Sequence, residues 1–121
     1  MAWRSRFWWL PFGSVPEISP NELLAKLSGD SVPYILDVRT HREWKASRIE
    51  GAVHVPITSL RADLKNLGLE SARPVIAICL SAHRSIPAVR ALREAGFVDA
   101  CQLQGGMLAW WKAGLPVVEG P

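Results

Sequence analysis

A thiol, an imidazole and a guanidinium fall within six consecutive positions in Cys79-Leu80-Ser81-Ala82-His83-Arg84, and Ser85 follows directly. A thiol is a weak nucleophile at its free pKa near 8.5, so chemistry at Cys79 needs surroundings that favour the thiolate. Backbone N–H groups curled around the sulfur and the positive end of a following helix both do so. Arg84, and His83 when protonated, add cationic charge, and a cradle of that size also draws in a small anion. The plainer alternative makes Cys79 a small buried hydrophobe at a strand end. Its place before a helix start, with an arginine close by, favours the reactive reading. Other candidates are weaker. Cys101 sits inside an apolar run and reads as a structural thiol rather than a resolving partner for Cys79. His41, His54 and His83 stand at no zinc-ligand spacing from a cysteine, so neither a metal nor a cofactor is expected. Asp37 is a conceivable base, though a strand-end carboxylate is more often satisfied by backbone N–H groups. Gly105-Gly106 lacks the spacing of a dinucleotide site.

The loop has to be carried by its flanking elements. Val75-Ile76-Ala77-Ile78, set between Pro74 and Cys79, predicts a strand buried on both faces at the sheet centre. Ser85-Ile86-Pro87 opens a helix in the only turn that tolerates proline, and Ala88, Leu92 and Ala95 form its buried stripe up to Gly96. Upstream, Ile18 is extended, Ser19 caps a helix that starts at Pro20 with Glu22 as capping-box partner, and Ser28-Gly29-Asp30 ends it. Tyr34 to Val38 is strand-like, His41 to Ala46 a short helix, and Ala52 to Val55 a third strand. Ser59 to Leu67 reads as helix with Leu60, Leu64 and Leu67 on one stripe, closed by Gly68. Ala100 to Leu103 is the last strand, and a final helix runs through Trp110 and Trp111 to Gly114. The alternation predicts an α/β fold, a five-stranded mainly parallel sheet with helices on both faces. Such sheets place their sites beyond the carboxyl ends of the strands, where Cys79 lies.

Composition narrows the partners. At 121 residues, 49% hydrophobic and 21% charged, the chain fits one folded domain. Fourteen basic residues against eleven acidic leave +3, and Arg4 and Arg6 stand in an acid-free N-terminus. The near-balance elsewhere gives no nucleic-acid surface. Two cysteines and no signal-like segment predict a reducing, cytoplasmic setting. Residues 1–14 form a basic-aromatic arm with Trp3, Phe7, Trp8 and Trp9, and Pro11 ends its apolar run far short of a membrane span. The arm is expected to fold back on the 15–121 domain or to fray; the alternative is a peripheral membrane or protein contact.

Four separated segments carry a family resemblance that covers the chain from about Glu17 to Val118. Leu36-Asp37-Val38-Arg39 with Glu43-Trp44, then Ile49-Glu50-Gly51-Ala52-Val53-His54-Val55-Pro56, then Cys79 to Ser85, and lastly Gly96-Phe97 through Leu103, Gly105-Gly106 and Trp110 resemble the rhodanese-like sulfurtransferases. The resemblance implies that Cys79 takes the outer sulfur of a donor such as thiosulfate or a low-molecular-weight persulfide, and that a thiol or cyanide acceptor then removes it. Leu80, Ser81, Ala82, His83, Arg84 and Ser85 would form the substrate loop, Arg84 would orient the donor's anionic end, and Asp37, Arg39 and Glu43 would support it from behind.

Four residues separate Cys79 from Arg84, whereas phosphatases and arsenate reductases on the same fold have five. The shorter loop suits sulfur better than a tetrahedral phosphate. Its arginine also departs from the glycine-rich loops of mercaptopyruvate-type members. Two further departures stand out: Ala82 replaces a common glycine and is strained if its φ is positive, and Ser47-Arg48 replaces a common Gly-His. The competing reading is a weakly active binding or sulfur-sensing module, docked by its aromatic arm.

Overall fold

The computed structural model describes residues 15–121, so the 1–14 arm and its suggested contacts lie outside the described residues. Five strands form one parallel sheet: β1 (Glu17–Ile18), β2 (Tyr34–Asp37), β3 (Val53–His54), β4 (Val75–Ile78) and β5 (Ala100–Leu103), in the order β1-β5-β4-β2-β3. The all-apolar β4 is central, as its sequence predicts. The helices are α1 (Pro20–Leu27), α2 (His41–Ala46), α3 (Leu60–Asp63), α4 (Ser85–Glu94) and α5 (Gly106–Lys112). Caps explain two of them. Ser19 with Glu22, and Thr40 with Glu43, form reciprocal capping boxes that satisfy the first free N–H groups of α1 and α2.

The single helix expected from Ser59 to Leu67 is instead α3 between two tighter 3-10 turns, Ile57–Ser59 and Leu64–Asn66. At the two ends i→i+3 bonds, Ser59 N to the Pro56 carbonyl and Leu67 N to the Leu64 carbonyl, take up the backbone groups and tighten the flanks into 3-10 turns.

Strand alternation sorts the core into two layers. Val75 and Ala77 of β4 pack with Leu36, Ala88, Val89, Leu92 and Cys79 on the side of α4. Ile76 and Ile78 pack with Leu23 of α1, Cys101, and Met107 and Trp110 of α5 on the other. The period of two therefore assigns the cysteines to opposite faces: Cys79 toward α4, Cys101 away from it. Burial pushes the Cys101 thiol up, out of the range in which it would ionise in water. It is a core thiol.

Candidate active site

The parallel register sets Asp37 of β2 beside Ile78 of β4, so both strands deliver their next residues to the same end of the sheet. Cys79 leaves β4 there, 1% exposed, and the chain runs through residues 80–84 before α4 begins at Ser85. Ala82 has φ +75°, the one non-glycine with positive φ among the described residues, so the strain anticipated for it is present.

Helix α5 holds the loop from one side. Met107 N donates to the Cys79 carbonyl at 2.9 Å, and Leu108 N donates to the Leu80 carbonyl at 3.0 Å. In a trans peptide the carbonyl and the next N–H point in opposite directions. The N–H groups of Leu80 and Ser81 therefore point away from α5. This close approach requires Gly106: a Cβ there would stand 2.5 Å from the Cys79 oxygen and 2.6 Å from Leu80 backbone atoms.

Ser85, assigned to the substrate loop on sequence, is fully buried and opens α4. Its Oγ lies 3.4 Å from Cys79 Sγ and donates to Gln102 Oε1 at 2.6 Å. Gln102 Nε2 donates in turn to Glu17 Oε2 at 2.9 Å. Neither Gln102 nor Glu17 was singled out on sequence, although an amide inside the short apolar run of β5 signals a buried partner.

Arg84 does not stand free beside the sulfur. Its Nη1 and Nη2 donate to the two Glu43 oxygens at 2.9 and 3.0 Å, in the fork geometry that suits a carboxylate. Those hydrogen bonds, followed by the Thr40 backbone and hydroxyl, hold Glu43 down at about 2, against the opposing effect of burial. The guanidinium is correspondingly stabilised in its charged form, first by Glu43 and more weakly by the neighbouring Cys79. Glu43 therefore contacts the loop directly instead of supporting it from behind.

Asp37 and Arg39 pair with each other at the end of β2. Asp37 Oδ1 accepts from Arg39 N at 3.1 Å and Arg39 Nε at 2.9 Å, and Oδ2 accepts from Nη2 at 2.7 Å. Arg39 Nη2 also donates to the Ser47 carbonyl at 2.6 Å, and the Arg39 carbonyl meets His54 Nε2 at 2.7 Å. The Asp37 carboxylate is thus committed to Arg39, its backbone N–H included. Arg48 adds a clamp of its own: its guanidinium lies 3.9 Å over the Trp44 ring and donates to the Gly120 carbonyl at 2.7 Å. At the open rim, Ser81 Oγ and His83 Nδ1 are 2.9 Å apart, and His83 is exposed. Trp110 is buried with its Nε1 on the Pro116 carbonyl, whereas Trp111 is partly exposed and donates to Ser47 Oγ at 2.9 Å.

No helix among the described residues is long and apolar enough to cross a membrane. Comparison with known proteins agrees with this fold. An HTH-type transcriptional regulator of Mycobacterium tuberculosis is 39% identical over 105 residues, covering 85% of this chain and 45% of that protein. The chain spans less than half the length of that and other curated relatives. A protein named sulfurtransferase from Allochromatium vinosum is 29% identical over 104 residues, covering 86% of this chain and 95% of its own. The crystal structure of a thiosulfate sulfurtransferase from Pseudomonas aeruginosa superposes with a TM-score of 0.78 at 28% identity, over 88% of this chain and 20% of that one. The rhodanese-like domain model matches residues 19–113, and with that span and this loop the chain belongs to the rhodanese-like family.

Proposed function

We propose that this domain moves a sulfane sulfur from thiosulfate or a low-molecular-weight persulfide to a thiol or cyanide acceptor, through a persulfide on Cys79. The observation that carries the reading is the loop itself: a thiol at the end of the central strand, with two successive carbonyls tied back by α5 so that the paired N–H groups face the other way. In the first step the Cys79 thiolate attacks the outer sulfur of thiosulfate. A sulfur–sulfur bond forms, the bond to the sulfonate sulfur breaks, and its electron pair leaves with sulfite. The persulfide then carries its charge on the terminal sulfur, where loop N–H groups and the start of α4 stabilise it. An acceptor such as cyanide attacks that terminal sulfur, leaves as thiocyanate, and returns the Cys79 thiolate. Two displacements through one covalent intermediate give ping-pong kinetics.

The name of the Allochromatium relative and that of the Pseudomonas structure support this chemistry. The Glu43 carboxylate on Arg84 means that an anionic donor must compete for the guanidinium or rely on the backbone N–H groups alone. That occupied fork also favours a slower domain that carries sulfur for a partner, as the second reading.

Intact mass before and after thiosulfate, and again after cyanide, tests the proposal. The expected result is a gain of one sulfur on the wild type, its loss to cyanide, and no gain in Cys79→Ser. Unchanged mass in the wild type overturns thiosulfate as donor, and a gain that persists in Cys79→Ser overturns Cys79 as carrier.

A further inference from the structure

A buried line of hydrogen bonds leads from the thiol to β1. It runs from Cys79 to Ser85, from Ser85 to Gln102 and from Gln102 to Glu17, with Ser85 and Gln102 only 0% and 3% exposed. Glu17 and Gln102 are register partners across β1 and β5, and their neighbours Ile18, Cys101 and Leu103 pack on the opposite face. Strand pairing therefore sets both polar side chains on the face of α4, in line with Ser85.

The direction of this line follows from its far end. An ionised carboxylate only accepts, so Glu17 draws the amide N–H of Gln102 and turns the Gln102 carbonyl toward Ser85. That carbonyl takes the one proton of the Ser85 hydroxyl. Only lone pairs are left facing Cys79. A protonated thiol can donate into them, whereas a thiolate meets no donor there. We propose that Glu17 and Gln102 are positioning residues which, through Ser85, hold Cys79 as the thiol between turnovers, so that ionising the sulfur requires the line to reverse.

In the reversed state the Ser85 O–H points at the sulfur, Gln102 gives an amide N–H to Ser85 Oγ, and its carbonyl faces Glu17. That last contact sets two acceptors face to face, which is why the resting direction is preferred. This inference rests on Cys79 being the nucleophile of the proposed function.

Other charged groups lie nearby. Arg84 with Glu43 and Asp37 with Arg39 stand by the loop, and Glu22 and Lys26 of α1 and Arg93 of α4 lie toward Cys101 in β5. They are the same in every variant compared below, so their fields cancel.

The test is an ultraviolet thiolate titration of the full chain, with Cys79→Ser subtracted to remove Tyr34 and Cys101. Gln102→Leu releases the Ser85 proton to the sulfur without changing any charge. Its titration midpoint is expected about one pH unit below the wild type, the tenfold change that one hydrogen bond to a charged sulfur gives. Adding Ser85→Ala should abolish the fall. A midpoint unchanged or raised in Gln102→Leu overturns the proposal. Should Gln102→Leu fail to fold by circular dichroism, Glu17→Gln takes its place, since a neutral amide accepts either direction. Its midpoint should fall with Ser85 present and stay put in the Ser85→Ala background. An equal fall in both backgrounds is the direct field of the lost carboxylate and overturns the relay, as does no fall in either. The titration needs no sulfur donor, so failure of sulfur uptake defeats the proposed function without touching this result, and the reverse holds too.

Discussion

Two arginine–carboxylate pairs at this end of the sheet share the same chemistry and differ in burial. Arg39 and Asp37 are 1% and 0% exposed, whereas Arg84 and Glu43 are 35% and 30% exposed. The first pair has no water to fall back on, and every contact that satisfies Asp37 comes from Arg39 itself. The second holds a fork of equal quality at a site that solvent reaches. A buried ion pair cannot exchange partners without stranding a charge, while a half-exposed pair does so at small cost. The fixed pair thus ties the end of β2 to Ser47 after α2, and the exchangeable one joins the loop to α2.

The largest effect should come from breaking the fixed pair. Asp37→Ala leaves the Arg39 guanidinium buried and uncompensated, and a loss of about 3–5 kcal/mol in unfolding free energy is expected by urea titration. A loss below about 1 kcal/mol, the level typical of exposed pairs, would erase the distinction between the two.

The exchangeable pair should respond in function, and in stability by less than the fixed pair. Glu43→Gln keeps a capping partner for Thr40, since glutamine also closes a capping box. It also releases Arg84 toward an anionic donor. KM for thiosulfate is expected to fall about two- to fivefold with kcat little changed, the size of an exposed ion pair. A rise in KM would show that Glu43 orients Arg84 for the donor instead of competing with it. Acid provides a second check. Because the folded protein holds Glu43 at about 2, below its unfolded value, the pair contributes stability above about pH 4.5 and loses it progressively as pH falls toward 2. Glu43→Gln should flatten the acid limb of the stability curve over that window, measured by denaturant unfolding at each pH.

The same contrast explains what was legible in the sequence. The elements that run on local rules were readable: Ser19-Pro20 with Glu22 starts α1 where expected, the apolar run after Pro74 is the central strand, and Cys79 ends it. Contacts that depend on which strands become neighbours were not. Glu17 and Gln102 are 85 positions apart, and only the placement of β1 beside β5 makes them partners. Glu43 reads as a support because nothing in a linear chain says that α2 reaches Arg84, 41 positions on. The Ser59 to Leu67 segment differs: its leucine stripe marks the buried side, but i→i+3 bonds at its ends tighten both flanks into 3-10 turns. The strain at Ala82 was legible as a conditional, and its φ of +75° met the condition.

That strain gives the smallest and most closely balanced effect. A left-handed alanine costs roughly 1–2 kcal/mol that glycine avoids. Glycine also enlarges the conformational freedom of the unfolded chain, which takes back about 0.4–1 kcal/mol. Ala82→Gly should therefore stabilise the domain by about 1.6 kcal/mol at most, a rise in Tm of no more than roughly 6 °C for a domain of this size. A clear fall in Tm would mean that the Ala82 methyl makes packing contacts worth more than the strain it causes. The sulfur-transfer rate separates two further possibilities. If the strained alanine distorts the loop N–H groups, Ala82→Gly should raise kcat along with Tm. If the tethers from Met107 and Leu108 already fix those groups, stability should change and kcat should not. The geometry favours the second outcome, because the tied carbonyls are those of Cys79 and Leu80, and the N–H groups they orient precede Ala82 in the chain.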